Sequence, residues 1–353
     1  MAGRGQIVSL GIALGAAALL LGAPKPEEPP PPPPSVALAW PAAQKATITA
    51  DLPDGTAYEP LVFLDARTSI GSAPSRDEKF LRLVKRGPGD TVRELRRLPL
   101  AQNPSFLSPA VSGDTVVWAE NTSAGQEMWA ADSRTGRQIR KLTADTGDSR
   151  FYQSQYDLVV AGERVHWVAA EPSSGTEIRS VALTGGPVEV RTVPGNWALT
   201  DWPWMVDGLA DMAGAGRMRN LVTGEERPMP LTRRGTTACT PLWCRAVSLD
   251  ADGYPKIEIV RTDGTDRQQV ARRTARTIIS DVAVLGRFEV YSQVTAASEL
   301  TGRDELLIFD IETNRHVRAS PEAGDVRYRN GVLWWSAGTA NSFVRHVLDL
   351  RTV

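Results

Sequence analysis

The chain has 353 residues, with 40 Lys+Arg against 41 Asp+Glu, so its formal charge is close to zero. That balance argues against a general nucleic-acid binder, which needs a basic excess to neutralise phosphates. Two cysteines are too few for a disulfide-stapled mini-domain, three histidines argue against a His-rich metal site, and 42% hydrophobic residues can furnish the core of one large all-β domain.

The amino terminus reads as an address. After a start carrying Arg4, an apolar run extends over residues 7–23, and Ala16, Ala17 and Ala18 offer small residues for cleavage. The layout predicts a secretory signal peptide over 1–23, or an N-terminal membrane anchor at the short end of the spanning range. Both readings place the rest of the chain outside the cytoplasmic membrane, secreted or membrane-anchored, with membrane contact only through residues 7–23. No cysteine follows the run to carry a lipid. Residues 24–45 read as a Pro-rich linker, because Pro24, Pro26 and Pro29 to Pro34 favour polyproline II. A stretch of that kind is either a semi-rigid stalk of about 35 Å or a disordered tether.

From Ala46 onward the chain repeats. Ser112-Gly113-Asp114 is a turn that leads into Thr115-Val116-Val117-Trp118-Ala119-Glu120. A polar loop precedes the second strand, Glu127 to Asp132, and Ser133-Arg134-Thr135-Gly136 turns into Arg137 to Thr143. Similar units begin near Val165, Val290 and Leu333, and weaker ones near Val62, Met205 and Ala246. Seven units of about 44 residues, with four short strands each and no long helical pattern, predict a seven-bladed β-propeller of four-stranded blades over residues 46–353. The last unit is one strand short after Leu350. The alternating segment Ala46 to Leu52 is placed to supply that outer strand and latch the ring.

The unit from Val111-Ser112-Gly113-Asp114 through Val117-Trp118 and Asp132-Ser133-Arg134-Thr135-Gly136 to Leu142-Thr143 resembles the repeat of TolB-like β-propellers. The resemblance covers nearly all of residues 46–353 and is closest in two to four units. It implies the propeller fold of exported bacterial proteins. It implies no particular activity, because the repeat is shared by binding proteins and by peptidase propellers.

Few motifs carry chemistry. No Gly-x-Ser-x-Gly is present, and His166, His316 and His346 all fall within predicted strands, which suits packing better than nucleophilic catalysis. Asp250, Asp252 and Gly253 resemble the start of a calcium loop, but Arg261 stands where the last acidic ligand belongs, so a hairpin turn is expected. Catalytic, metal and cofactor residues are therefore read as none. Cys239 and Cys244 are expected to pair in an exported chain. Arg93, Arg96, Arg97, Arg137, Arg140, Lys141, Arg191, Arg267, Arg315 and Arg318 could form an anion-binding set, but most fall on the last strand of a unit, where charge discourages edge pairing.

The densest aromatic and acidic cluster is Trp197, Asp201, Trp202, Trp204 and Asp207. It is a possible ligand surface, with Trp202 and Trp204 sharing one face of a regular strand. The functional expectation is a non-enzymatic binding or protein-interaction scaffold at the bacterial cell envelope, with an unidentified protein or carbohydrate as partner. The alternative is an enzyme, a lyase, lactonase or other hydrolase, using the central funnel.

Overall fold

A computed structural model describes residues 31–207, 216–230, 232, 235–339 and 342–353. The apolar run at 7–23 and the first part of the proline tract lie outside the described residues. Among those described, no helix is long and apolar enough to cross a membrane. The chain divides into two units, Met1–Pro33 and Pro34–Val353. Residues 31–33 of the first have no regular structure.

The second unit begins with a short helix, α1 (Val36–Ala39), and strand β1 (Lys45–Thr49). Antiparallel groups follow, of four strands each except the third, which has five. The first contains β2 (Glu59–Phe63), β3 (Ser69–Pro74), β4 (Phe80–Arg86) and β5 (Val92–Pro99). The second contains β6 (Ser105–Ser112), β7 (Thr115–Thr122), β8 (Gly125–Asp132) and β9 (Arg140–Thr143). In the third, β10 (Asp148–Ser149) and β11 (Val159–Ala161) both pair with β12 (Arg164–Glu171), which continues to β13 (Gly175–Ala182) and β14 (Glu189–Pro194). The fourth is β15 (Trp197–Leu199), β16 (Trp204–Asp207), β17 (Arg217–Asn220) and β18 (Glu226–Pro228). The fifth is β19 (Gly235–Cys239), β20 (Trp243–Leu249), β21 (Pro255–Arg261) and β22 (Gln268–Arg272).

The remaining strands form one seven-stranded sheet. They are β23 (Ala275–Thr277), β24 (Phe288–Gln293), β25 (Asp304–Asp310), β26 (Arg315–Arg329), β27 (Val332–Thr339) and β28 (Ser342–Asp349), with β1 at the edge; a second short helix, α2 (Ala296–Thr301), joins β24 to β25. The long strand β26 pairs β25 through Arg315–Ala323 and β27 through Gly324–Arg329. It is the outer strand of one group and the inner strand of the next. Counted by pairing, the sheet divides there into a sixth and a seventh group of four. The β26–β27 turn is Asn330-Gly331, both residues at positive φ (55° and 77°), the geometry for which this dipeptide is favoured.

As expected, the segment before the first group closes the last one. β1 runs antiparallel to β28, with Lys45 opposite Leu348 and Thr49 opposite Val344. The packed body starts earlier than the sequence boundary, however. Ser35 bridges to Arg318, and Val36 and Ala43 are buried with Val290, Ile308 and Trp335. Apolar residues in this stretch were hidden by the prolines just before them.

Each strand faces two neighbours, so alternate residues enter different cores. Val116 and Trp118 pack toward the first group with Val62 and Phe106, while Val117 and Ala119 pack toward the third with Val165 and Trp167. Leu306 and Ile308 face the seventh group, Leu307 and Phe309 the fifth. Analogous clusters join the third group to the fourth, the fourth to the fifth and the seventh to the first. Burial on both faces explains the continuous apolar runs in the middle strands. These runs are the second strands of most groups, so the repeat read from sequence is offset by one strand from the pairing. Val62 is the exception and lies on a first strand.

Candidate binding site

The sequence-derived candidates separate in space. Cys239 and Cys244 form a disulfide across the β19–β20 hairpin, where they are directly opposed. Their Cα atoms are 4.0 Å apart, slightly closer than the usual range of about 4.4–6.8 Å, as suits opposed hairpin positions. Cys239 packs with Trp204 and Met229, so the bridge is part of the core between the fourth and fifth groups.

The tryptophan cluster is not one surface. Trp197 is buried with Val168, Ile178 and Met205 between the third and fourth groups. Trp204 is buried on the opposite side of its sheet, toward the disulfide. Trp202 is half-buried and stacks on His166, with ring centroids 3.9 Å apart. The shared face expected for Trp202 and Trp204 fails because Trp202 belongs to the turn between β15 and β16, not to a strand. Asp201 is exposed in that turn. Asp207 accepts hydrogen bonds from the Gly216 and Arg217 amides and pairs with the Arg217 guanidinium. Two of the three rings are thus core, and the set does not form a contact surface.

Other polar candidates are occupied structurally. Arg96 makes a two-pronged pair with Glu120 on the next sheet, at 2.9 and 2.8 Å, and lies over the Trp129 ring. Arg140 and Arg191 donate to the Leu183 and Leu221 carbonyls of following groups. Asp250 accepts from the Asp252 and Tyr254 amides, which makes its segment a hairpin turn. His316 meets the Tyr291 hydroxyl, and His346 meets that of Thr47. Burial pushes His166 and His316 below the ordinary histidine pKa.

A different site lies where the first strands of several groups converge. A cavity of about 710 Å³ is lined by Leu61, Phe106, Tyr152, Ile279, Val326, Tyr328 and Trp334, with Asp157, Asp281, Arg327 and Arg329 among them. β2, β6, the 151–157 stretch, the loop after β23, the second half of β26 and β27 supply these residues. The Trp334 Nε1 is buried and has no hydrogen-bond partner among the described residues; the Tyr328 hydroxyl likewise makes no hydrogen bond of standard geometry.

The floor of this cavity comes from a split strand. β10 and β11 both pair with β12, and residues 151–158 leave the sheet between them. Asp157 accepts from the Tyr152 amide at 2.7 Å and from the Ser108 hydroxyl at 3.1 Å. Asp281, from the loop after β23, accepts from the Ser154 hydroxyl at 2.7 Å and the Gln155 amide at 3.3 Å. Arg329 reaches from β26 to the Pro109 and Ser154 carbonyls, at 3.1 and 3.0 Å. Both carboxyls and the guanidinium are buried. Burial pushes Asp157 and Asp281 above the usual carboxylate range, partly offset by their hydrogen bonds and by the Arg329 charge. Burial likewise lowers Arg329, opposed by those two aspartates. Arg329 thus acts on two carboxyls of distant sequence position, with Arg245 adding to its effect on Asp281. Sequence reading missed this group because its members are single residues on three elements. The one local signal was the Phe151-Tyr152-Gln153-Ser154-Gln155-Tyr156 stretch, aromatic but without strand alternation.

No protein-family model matches the chain, and no curated protein matches it in sequence. Solved structures do match. The β-propeller domain of the Trilobed protease from Pyrococcus furiosus is 12% identical over 80% of this chain and 89% of that one, with a TM-score of 0.52. The uncharacterized protein lmo1340 from Listeria monocytogenes EGD-e is 10% identical over 84% and 92%, with a TM-score of 0.53. TolB from Acinetobacter baumannii is 13% identical over 74% of this chain and 65% of that chain, with a TM-score of 0.42. At the identities of the first two the likeness is one of fold, that of a β-propeller.

Proposed function

We propose that the protein is a non-enzymatic binding scaffold of the bacterial cell envelope, and that it takes its protein or carbohydrate partner in the axial cavity. The observation that carries this reading is the cavity itself. Its volume of about 710 Å³ suits a ligand or a partner's side chains, and its wall combines aromatic and aliphatic faces with a few charged groups. The three histidines sit in strands away from its lining, and both buried aspartates are engaged by amide and hydroxyl donors. The envelope location rests on the signal-like residues 1–23.

Exported full-length chain, used as bait on envelope extracts, tests the reading. Ile279→Arg places a charge in the cavity wall and is expected to cut capture of the partner at least tenfold. Arg93→Glu, on a peripheral strand, is expected to leave capture intact. Equal capture by both variants would contradict the proposal. The enzymatic alternative keeps one supporting observation, because raised carboxyl pKa values recur in active sites. On that reading Asp157→Asn would abolish turnover of a captured substrate without weakening its capture.

A further inference from the structure

Residues 151–157 do more than line the cavity. They belong to the third group, yet they bond to the sixth and seventh, which are not its neighbours in the order of shared cores. The Ser154 hydroxyl and Gln155 amide donate to Asp281, the Ser280 hydroxyl donates to the Gln153 carbonyl at 3.0 Å, and Arg329 donates to the Ser154 carbonyl. The segment therefore crosses the axis. On its other side lies a second cavity of about 90 Å³, lined by Tyr156, Ala198, Leu199 and Cys239. Tyr152, Ser280 and Asp281 line both cavities, so the crossing segment is the wall between them.

We propose that residues 151–157, held at their ends by the Arg150 amide on the Val168 carbonyl and by the buried Leu158, are a displaceable plug that shuts the passage between the two cavities. Three observations support this. The plug has no regular structure, while the strands on either side of it are held by β12. Leu158 anchors one end in the core between the second and third groups, and Tyr152 and Tyr156 pack against the core between the third and fourth. The contacts to the sixth and seventh groups, by contrast, are polar bonds from Ser154, Gln155, Ser280 and Arg329, which water can replace when the middle of the plug moves aside. At its middle, Gln153 is exposed and sits at φ 61°, a left-handed conformation disfavoured for a residue with a Cβ. Open space on both sides leaves room for displacement. The proposal concerns access to the axial cavity and holds whatever that cavity binds.

Hydrogen exchange on the full chain tests it, with a thiol probe as second readout. The amides of Tyr152, Gln155 and Asp157 are expected to exchange at least 100-fold faster than those of β12 and β13, at a rate insensitive to low denaturant. Ser154→Ala removes the hydroxyl bond to Asp281 and is expected to speed plug exchange about tenfold, leaving β12 unchanged. Ala198→Cys places a thiol in the smaller cavity. The native cysteines are disulfide-bonded, so it is the only free thiol. Its labelling by a maleimide is expected to rise about tenfold when Ser154→Ala or Ser280→Ala is added. Plug amides that exchange only with global unfolding would overturn the proposal, as would thiol labelling that neither plug variant changes.

Discussion

Glu289, on the sixth group's β24, is fully buried and holds Arg245 of the fifth group's β20, itself 5% exposed, in an ion pair between the two groups. The second Glu289 oxygen accepts from the Ala283 amide, and Arg245 also donates to the Ile279 and Asp281 carbonyls. Removing one partner strands the other charge in the core. Glu289→Ala is expected to cost about 3–5 kcal/mol in chemical denaturation, and a loss below about 1 kcal/mol would contradict this assignment. Asp281 makes a pH prediction. Its folded carboxyl holds its proton more tightly than an unfolded one does. Its stabilising contribution is full below the ordinary carboxylate pKa and is lost as pH rises through the raised folded value. Asp281→Asn does not titrate, so its stability relative to wild type should improve between pH 4 and pH 8. A pH-independent difference would refute that. Trp204 and Trp202 should also part company. Trp204→Ala empties a buried site and is expected to cost about 3–5 kcal/mol, and Trp202→Ala markedly less.

At the scale of elements, β1 carries the largest consequence for its size. It covers the edge of β28, and Ile48 packs toward both Tyr58 and Trp334. Deleting residues up to Thr49 leaves that edge open and should lower the melting temperature by at least ~2–4 °C, the equivalent of about 1 kcal/mol, with aggregation on heating. An unchanged melting curve would remove the latch from the account. The strands themselves were legible because turn chemistry and apolar runs are local. Ser112-Gly113-Asp114 and Ser133-Arg134-Thr135-Gly136 announce turns, and Val116-Val117-Trp118 announces a strand. The latch was legible because one strand was missing at the end and one was spare at the start. The tryptophans misled because proximity in sequence says nothing about which side of a sheet a ring enters. Asp157, Asp281 and Arg329 were invisible because only ring closure brings them together.

The unit Pro34–Val353 is a set of sheets arranged so that each neighbouring pair shares a core and the first meets the last. Pairing partners divide the strands into seven groups once β26 is split, six of four strands and the third of five, in which β10 and β11 share β12; crystallography is expected to show seven blades. Closure gives the arrangement an inside, and that inside holds the aromatic wall, the buried aspartates and Arg329. The central claim is that this interior is where the protein meets its partner. Site-specific photo-crosslinking in living cells tests it most directly, with the reactive side chain placed at Ile279 or Gln153 in the cavity and, separately, at Leu249, which is exposed and lies outside its lining. The account predicts a discrete adduct from both cavity positions and none from Leu249. Adducts from Leu249 with none from Ile279 and Gln153 would contradict it.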